Sequence, residues 1–455
     1  MPADVKSIAV LGAGVTALVA AHRLVKEGHQ VRIFEQSGRA GGVVRTEEAN
    51  GWLIESGPNS VLGGEPALTH LLRELDLAEL VIRANPRAKN RYVVRRDRLV
   101  PVPLSPPAFF TSSLFSPWAK LRILSETLAR PRTRIGDVSL AQFVREHFGT
   151  EFVDYALTPF VGGVYAGNPE RLSARYAFPK LWEMERSHGS LIRSQAAAAR
   201  ERRALAKSAP EIISFPHGLQ TLTDKIVGRL RPGGITFNVS LEAITPGEKW
   251  NVIWNDGGAT LSQAFDTVVL ALPAHALARL RIGSLGERPL ASLAQVEHPP
   301  LSSLFLGYPR EHVLHPMEGL GLLIPAIENR TPLGVLFSST LFPGRAPPGH
   351  VALTVMIGGT RQPELAALPQ DQLLDRVRPD LAQLLGVRGQ PTFMRHTFWP
   401  QAIPQYNLGH EQHIACMAFA EQSHPGLYIG GQVRDGISLP ACVAAGEKLA
   451  ARVIG

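Results

Sequence analysis

The sequence predicts an α/β protein built on a parallel sheet, and three stretches near its start carry that class. An apolar run, Ser7-Ile8-Ala9-Val10-Leu11, ends in Gly12-Ala13-Gly14. A helical pattern of Leu18, Val19, Ala21, His22, Leu24 and Val25 follows at once and stops at Gly28. Gln30-Val31-Arg32-Ile33-Phe34 then reads as a second strand ending in an acid, Glu35. Strand, tight turn, helix and strand in this order make the first βαβ unit of a Rossmann-like dinucleotide fold.

Each position in the turn has a physical task. Gly12 permits the turn, and Gly14 lets the backbone approach a pyrophosphate. The helix start at Ala13, Val15 and Thr16 offers free N–H groups and a partial positive charge to that anion. Ala17 stands where a third glycine is usual; the task there is close helix–strand packing, which alanine also permits. Glu35, followed by Gln36, lies at the spacing at which a carboxylate accepts ribose hydroxyls.

Composition bounds the rest. At 455 residues, 45% hydrophobic and 19% charged, the chain is globular and long enough for two or three domains. The net charge of +8 permits an anionic partner, but no Lys/Arg block is interleaved with aromatics, so a nucleic-acid groove is not expected. The two cysteines, Cys416 and Cys442, form no C-x-x-C and no zinc spacing, so neither a disulfide framework nor a metal site is expected. The chain enters its first strand within a few residues, so no signal peptide is expected, and a reducing, cytoplasmic setting is the expectation. The uncharged stretch Leu99–Ala119, where Arg98 has just passed, holds Pro101, Pro103, Pro106, Pro107 and Pro117, which preclude a regular spanning helix.

Along the chain, 66–82 reads as an amphipathic helix with Leu68, Leu71, Leu72, Leu75 and Leu77 on one face. Residues 83–134 hold twelve Lys/Arg against two acids, Asp97 and Glu126, with Phe109, Phe110, Leu114, Phe115 and Trp118 among them. Basic flanks around apolar bulk suit either an interfacial membrane segment or a solvated basic face over an aromatic core. Residues 137–207 read as helical, interrupted by the glycine-rich stretch 160–169, with a basic, alanine-rich run from Arg186 to Lys207. Strand character returns at Ile235–Val239, Trp250–Trp254 and Phe265–Pro273. Strands at Leu333–Phe337 and Val351–Met356 suit a mixed sheet walling a pocket, and a helix is expected from Gln370 to Leu385. Near the end, Leu427-Tyr428-Ile429 meets Gly430-Gly431, and a small-residue helix follows from Ala441 to Arg452.

The continuation after Glu35 specifies the dinucleotide. Arg39-Ala40-Gly41-Gly42-Val43-Val44-Arg45-Thr46, then Glu55-Ser56-Gly57-Pro58, resembles the R-x-G-G-x-x-x-T run of flavoproteins that include amine oxidases, phytoene desaturases and protoporphyrinogen oxidases. That resemblance implies FAD. Inner stretches resemble protoporphyrinogen oxidases in particular: Asn90-Arg91-Tyr92-Val93-Val94 with Leu99-Val100-Pro101-Val102-Pro103, Gly163-Val164-Tyr165-Ala166-Gly167-Asn168-Pro169 through Ser173, and Ile403-Pro404-Gln405-Tyr406-Asn407-Leu408-Gly409-His410. Gly321–Pro325, Leu336–Ser339 and Phe342–Arg345 agree.

The resemblance implies oxygen-dependent, six-electron oxidation of protoporphyrinogen IX to protoporphyrin IX with release of hydrogen peroxide, by hydride transfer to FAD and with no essential side-chain base. It implies substrate contacts from Arg91 to a propionate, from the Gly163 carbonyl to pyrrole N–H groups, and from Leu323, Leu336 and Met356 to the macrocycle. For FAD it implies Gly12 to Ala17, Glu35, Gln36, Arg39, Gly41, Gly42, Val43, Arg45, Gly57, Pro58, Asn59, Ser60, Leu241, Trp399, Gly431, Ile437, Ser438 and Leu439, with Arg39 and Arg45 adding positive charge. Pro440-Ala441 departs from the family's Asn-Asp, which leaves backbone N–H groups of Ser438 and Leu439 for the flavin. The implied organisation is a discontinuous FAD-binding domain (1–65, 211–290, 396–455), a mixed-sheet substrate domain (66–82, 291–395) and an inserted helical, basic, membrane-associating domain (83–210). The expected partners are a porphyrinogen, molecular oxygen and a peripheral membrane surface on the inner face of the cell membrane; a homodimer is left open. Coproporphyrinogen III as substrate, a flavin amine oxidase, and a porphyrin-binding flavoprotein with little turnover are the alternative readings.

Overall fold

The computed structural model describes residues 5–204, 210–283 and 287–455. Strand β1 (Ser7–Leu11), helix α1 (Val15–Lys26) and strand β2 (Gln30–Phe34) form in the expected order. β1 lies at the centre of a parallel five-stranded sheet, in the order Ile235–Thr236, β2, β1, Thr267–Leu270, Leu427–Ile429. Its unbroken apolar run follows from burial on both faces. Ile8 and Val10 enter one core with α1 and the C-terminal helix Leu439–Ile454, whereas Ala9 and Leu11 enter another with Trp250, Val252 and Trp254. The second core is closed by a four-stranded sheet that includes Val239–Thr245, Trp250–Asp256 and Ala259–Phe265.

A seven-stranded mixed sheet makes the second layer system, in the order Phe393–Trp399, Leu301–Pro309, His350–Gly358, Pro332–Leu336, Gly321–Leu323, Tyr92–Arg95, Arg98–Pro101. One face is sealed by the helix Gln370–Leu385: Leu373, Val377 and Leu381 pack on Leu304, Leu322, Val335 and Val355. The opposite face is the one that matters for function.

Several elements differ from the sequence expectation. Residues 66–82 were expected with the substrate domain, but Leu68, Leu71, Leu72, Leu75 and Leu77 are buried with Ile8, Val10 and Leu18 in the dinucleotide core. That helix spans only Pro66–Glu74, because Asp76 takes a left-handed φ of 57°. The strands Tyr92–Arg95 and Arg98–Pro101 lie within the 83–210 span read as a helical insertion, yet they complete the edge of the seven-stranded sheet. The glycine-rich interruption starts later than expected: Thr158–Tyr165 is helical through Gly162 and Gly163, and the break falls at Ala166, with φ 49°. The basic run from Arg186 to Lys207 is helical to His188 and again over Leu191–Ala204, broken at Gly189, and 205–207 lie outside the described residues.

The helical region is pinned by a buried charge cluster. Glu126 accepts from Ser190 Oγ at 2.8 Å and from the Leu191 N–H at 2.5 Å. The His147 ring lies 3.0 Å from Glu126 on one side and 3.0 Å from Glu185 on the other. Arg134 pairs with Glu185 at 2.6 Å and with Glu146 at 2.8 Å. Burial works against every charge here, but the glutamates raise the His147 pKa, and His147 and Arg134 hold Glu185 down to about 2.

The basic stretch 83–134 is less bare than its composition suggests. Arg83, Arg87, Arg95, Arg132 and Arg134 pair with Glu211, Glu318, Glu151, Glu146 and Glu185, all from outside the stretch. The aromatics divide. Phe115 is 6% exposed and Phe109 packs beside it, whereas Phe110 is 57% and Trp118 81% exposed.

Candidate functional site

The turn after β1 is shaped for a close approach. A Cβ on Gly12, whose φ is 97°, would lie 2.9 Å from the Ala271 carbonyl oxygen. Gly14 caps α1 in an extended conformation, and no side chain bonds to the helix start. Its first amides therefore remain available to an anion. Gly42 sits over Gly14: an added Cβ would meet the Gly14 Cα at 3.2 Å. The Gly41 N–H donates to the Ala13 carbonyl at 2.8 Å. A Cβ on Gly57 would fall 1.9 Å from the Val43 carbonyl oxygen. Gly14, Gly42 and Gly57 thus bring backbone against backbone, the last on the Val43 carbonyl, with Pro58, Asn59 and Ser60 half-buried beyond them. Val15 and Thr16 open α1, and Ala17, its third residue, is fully buried.

Glu35 is held in place by the same turn. One carboxylate oxygen accepts from the Ala13 N–H at 2.8 Å, and the other from the Ser37 N–H at 2.8 Å and hydroxyl at 2.7 Å. The oxygen bonded to Ala13 accepts only that one bond and keeps acceptor capacity for a hydroxyl. Leu241 stands nearby, two residues after Val239, whose N–H donates to the Glu35 carbonyl at 3.1 Å. Gln36 is exposed. Arg39 differs from expectation: its guanidinium donates to the Ala40, Gly42 and Val44 carbonyls at 3.2, 2.9 and 2.5 Å, bracing the loop. Burial, then the neighbouring Arg45, lowers its pKa. Arg45 itself is exposed.

A second helix N-terminus joins the first. The C-terminal helix is capped by Ser438, whose hydroxyl accepts from the Ala441 N–H at 3.3 Å, and Leu439 is its first residue. It runs alongside α1: the Thr16 hydroxyl donates to the Cys442 carbonyl at 3.1 Å, and a Cβ on Gly446 would lie 2.7 Å from the Thr16 carbonyl oxygen. Gly431, at φ 108°, opens the turn before it, its N–H donating to Asp435 at 2.9 Å. The Ile437 carbonyl accepts from Gln432 at 3.3 Å. Trp399 ties the edge of the seven-stranded sheet to the cradle, its indole N–H donating to the Ser56 carbonyl at 2.9 Å.

The open sheet face carries the residues expected to meet substrate. Leu323 is opposite Gly334, and Gly334 is opposite Met356; Leu336 is two residues from Gly334, so all three side chains share a face. In strands otherwise buried, Leu323, Leu336 and Met356 are the half-exposed positions between buried neighbours or at a strand end. Exposed Gly163 lies against this face: a Cβ there would be 2.7 Å from a Leu323 methyl. Arg91 precedes Tyr92–Arg95 at the sheet's edge, exposed and without an ion-pair partner among the described residues.

Two polar groups were not anticipated. Glu55 accepts from the Leu219 N–H and the Thr46 hydroxyl, each at 2.8 Å, and lies 3.7 Å from Arg345. Burial pushes its carboxyl up to about 7. Both line a small crevice with Asn59, Ser338 and Thr354, at the junction of cradle and sheet. In the sequence both stand only as members of longer motifs; a glutamate in an otherwise apolar strand, Trp52–Glu55, is the available signal.

The stacked glycines, the uncapped α1 and the free acceptor capacity of Glu35 fit FAD. Comparison with known proteins agrees. The family model described as flavin containing amine oxidoreductase matches residues 18–454. Protoporphyrinogen oxidase 2, chloroplastic/mitochondrial, of Arabidopsis thaliana is 34% identical, over 99% of this chain and 94% of that protein. Coproporphyrinogen III oxidase of Staphylococcus aureus is 27% identical, over 99% of each. Among solved structures, reduced UDP-galactopyranose mutase superposes with a TM-score of 0.74 at 16% identity, covering 99% of this chain and 96% of that one, a likeness of fold alone. The chain belongs to the flavin-containing amine oxidoreductase family, alongside its protoporphyrinogen oxidases, and is an FAD-dependent oxidoreductase.

Proposed function

We propose that the protein oxidises protoporphyrinogen IX to protoporphyrin IX with dioxygen as acceptor, six electrons passing in three two-electron steps and hydrogen peroxide leaving. The observation that carries this reading is the apolar platform of Leu323, Leu336 and Met356 facing Gly163. A flat tetrapyrrole needs such a surface. Bound FAD supplies the hydride acceptor and the route of electrons to dioxygen. The chain's own residues bind and orient. Glu35 holds the ribose hydroxyls, and the starts of α1 and the C-terminal helix face anionic parts of the cofactor. Arg91, without a carboxylate partner among the described residues, takes a propionate as a fork-shaped donor pair. The Gly163 carbonyl accepts pyrrole N–H groups.

The names of the relatives support the substrate class, and they divide between protoporphyrinogen and coproporphyrinogen. The experiment is a comparison of kcat/KM on the two porphyrinogens with FAD-loaded protein. Preference for protoporphyrinogen supports the reading; preference for coproporphyrinogen III replaces its substrate, and turnover of neither removes it.

The protein also lies against a membrane surface in this reading. No described helix is long and apolar enough to cross a bilayer. Leu104, Phe110, Trp118, Leu121 and Leu128 are all more than half exposed within residues 104–128, and Lys120 and Arg122 sit among them. Apolar side chains with basic neighbours are suited to the headgroup region.

A further inference from the structure

Gln405 and Tyr406 are neighbours in Ile403–His410, are almost fully buried, and reach different walls of the site. The Gln405 side-chain amide donates to the Tyr165 carbonyl at 2.9 Å and the Ile403 carbonyl at 2.9 Å. Tyr165 is the last residue of the helix that carries Gly163. Its fit there is tight: a Cβ on Gly167 would lie 2.2 Å from the Gln405 Oε1. Tyr406 turns to the other side. Its hydroxyl accepts from the Gly436 N–H at 2.9 Å and donates to the Gln432 carbonyl. Those two groups bracket the short helix Gln432–Asp435, directly before Ile437, Ser438 and the C-terminal helix. His410 completes the arrangement. Its ring stacks on Tyr406 at 4.4 Å, and its Nε2 donates to the Val433 carbonyl at 3.0 Å.

A phenol that bonds two backbone groups of one turn leaves that turn little freedom to shift. A neighbouring amide that bonds the carbonyl at a helix end ties the two together through a single peptide unit. We propose that Tyr406 is a positioning residue for the flavin-side turn 431–438, that Gln405 is one for the Gly163 helix, and that this dipeptide sets the spacing between cofactor and porphyrinogen. The inference rests on the proposed function for its substrate side only.

The test uses the full-length holoenzyme. Tyr406→Phe keeps the ring stack and removes the hydroxyl. It is expected to raise the Kd for FAD about tenfold, the equivalent of one or two lost hydrogen bonds, and to change the visible spectrum of the bound flavin. Gln405→Met is expected to raise KM for protoporphyrinogen while leaving the FAD Kd within about twofold of wild type, since a hydrogen bond far from the flavin contributes little there. A Tyr406→Phe protein with wild-type FAD Kd and spectrum, and only a lowered Tm, overturns the proposal. If that variant does not fold, hydrogen exchange at the Gly436 amide of the wild-type holoenzyme decides: protection comparable to core amides supports the latch, and exchange at loop rates overturns it. Should wild-type enzyme turn over no porphyrinogen, the substrate reading fails, while the FAD readouts still decide the role of Tyr406.

Discussion

Leu323 fills the space that a side chain on Gly163 would need: its methyl lies 2.7 Å from where a Cβ would stand. The methyl is the far end of a flexible side chain, so Gly163→Ala moves Leu323 rather than the backbone. The fold is expected to tolerate this, with a stability change of about 1 kcal/mol or less. The platform under the porphyrinogen is expected to change shape, raising KM several-fold. Steady-state kinetics beside a thermal melt check this; an unchanged KM in a stable variant separates Gly163 from the substrate.

The close packing between α1 and the C-terminal helix depends on Gly446. A Cβ there would stand 2.6 Å from Val19 Cβ and 2.7 Å from a backbone oxygen, which cannot rotate away. Gly446→Ala is expected to cost about 1–3 kcal/mol. It should also weaken FAD binding, because the two helix starts are held side by side by that contact. Ala17→Gly, by contrast, should leave FAD affinity unchanged. Urea melts and FAD titration of both variants test the pair.

His147 gives the helical region a pH dependence of known sign. Its pKa is raised in the fold, so the native state binds the proton more tightly than the unfolded chain. The stabilisation is fully present below about 6.5, the ordinary histidine value. It is lost as pH rises through the raised value. Glu185, depressed to about 2, contributes above the ordinary carboxylate value and is lost as pH falls toward 2. At pH 6, His147→Gln is expected to lower stability by roughly 3 kcal/mol, and the gap to wild type should narrow at alkaline pH. Chemical denaturation of both proteins from about pH 5 to about pH 10 measures the difference; a gap independent of pH contradicts a protonated His147.

Phe110→Ser with Trp118→Ser should reduce sedimentation with anionic vesicles while leaving the Tm near wild type, because both side chains are exposed. Phe115→Ser should instead unfold the helical region, since Phe115 is buried against Phe152. Equal vesicle binding by the double variant and wild type removes the membrane reading.

The sequence made the dinucleotide unit legible because its physics is local. A turn that needs Gly12, a free helix start at Gly14 and an acid at Glu35 lie within one short stretch. The same holds for the helix Gln370–Leu385, whose apolar stripe faces one sheet. What escaped was set by long-range packing. The leucines of 66–77 show a buried face but not against which core they pack. Tyr92–Arg95 reads as a strand, but its place next to the edge of a sheet built mostly from residues after 300 depends on pairing with Leu322 and Leu323. The roles of Gln405 and Tyr406 were hidden for the same reason, since Tyr165 and Gly436 are distant from them in sequence and bonded to them in the fold.

The most direct measurement is anaerobic mixing of FAD-loaded protein with protoporphyrinogen IX, followed by admission of air. The account predicts that the flavin absorbance bleaches without oxygen, and that air restores it while fluorescent porphyrin accumulates faster than in a protein-free control. A protein that binds the porphyrinogen and stays yellow under anaerobic conditions would contradict it.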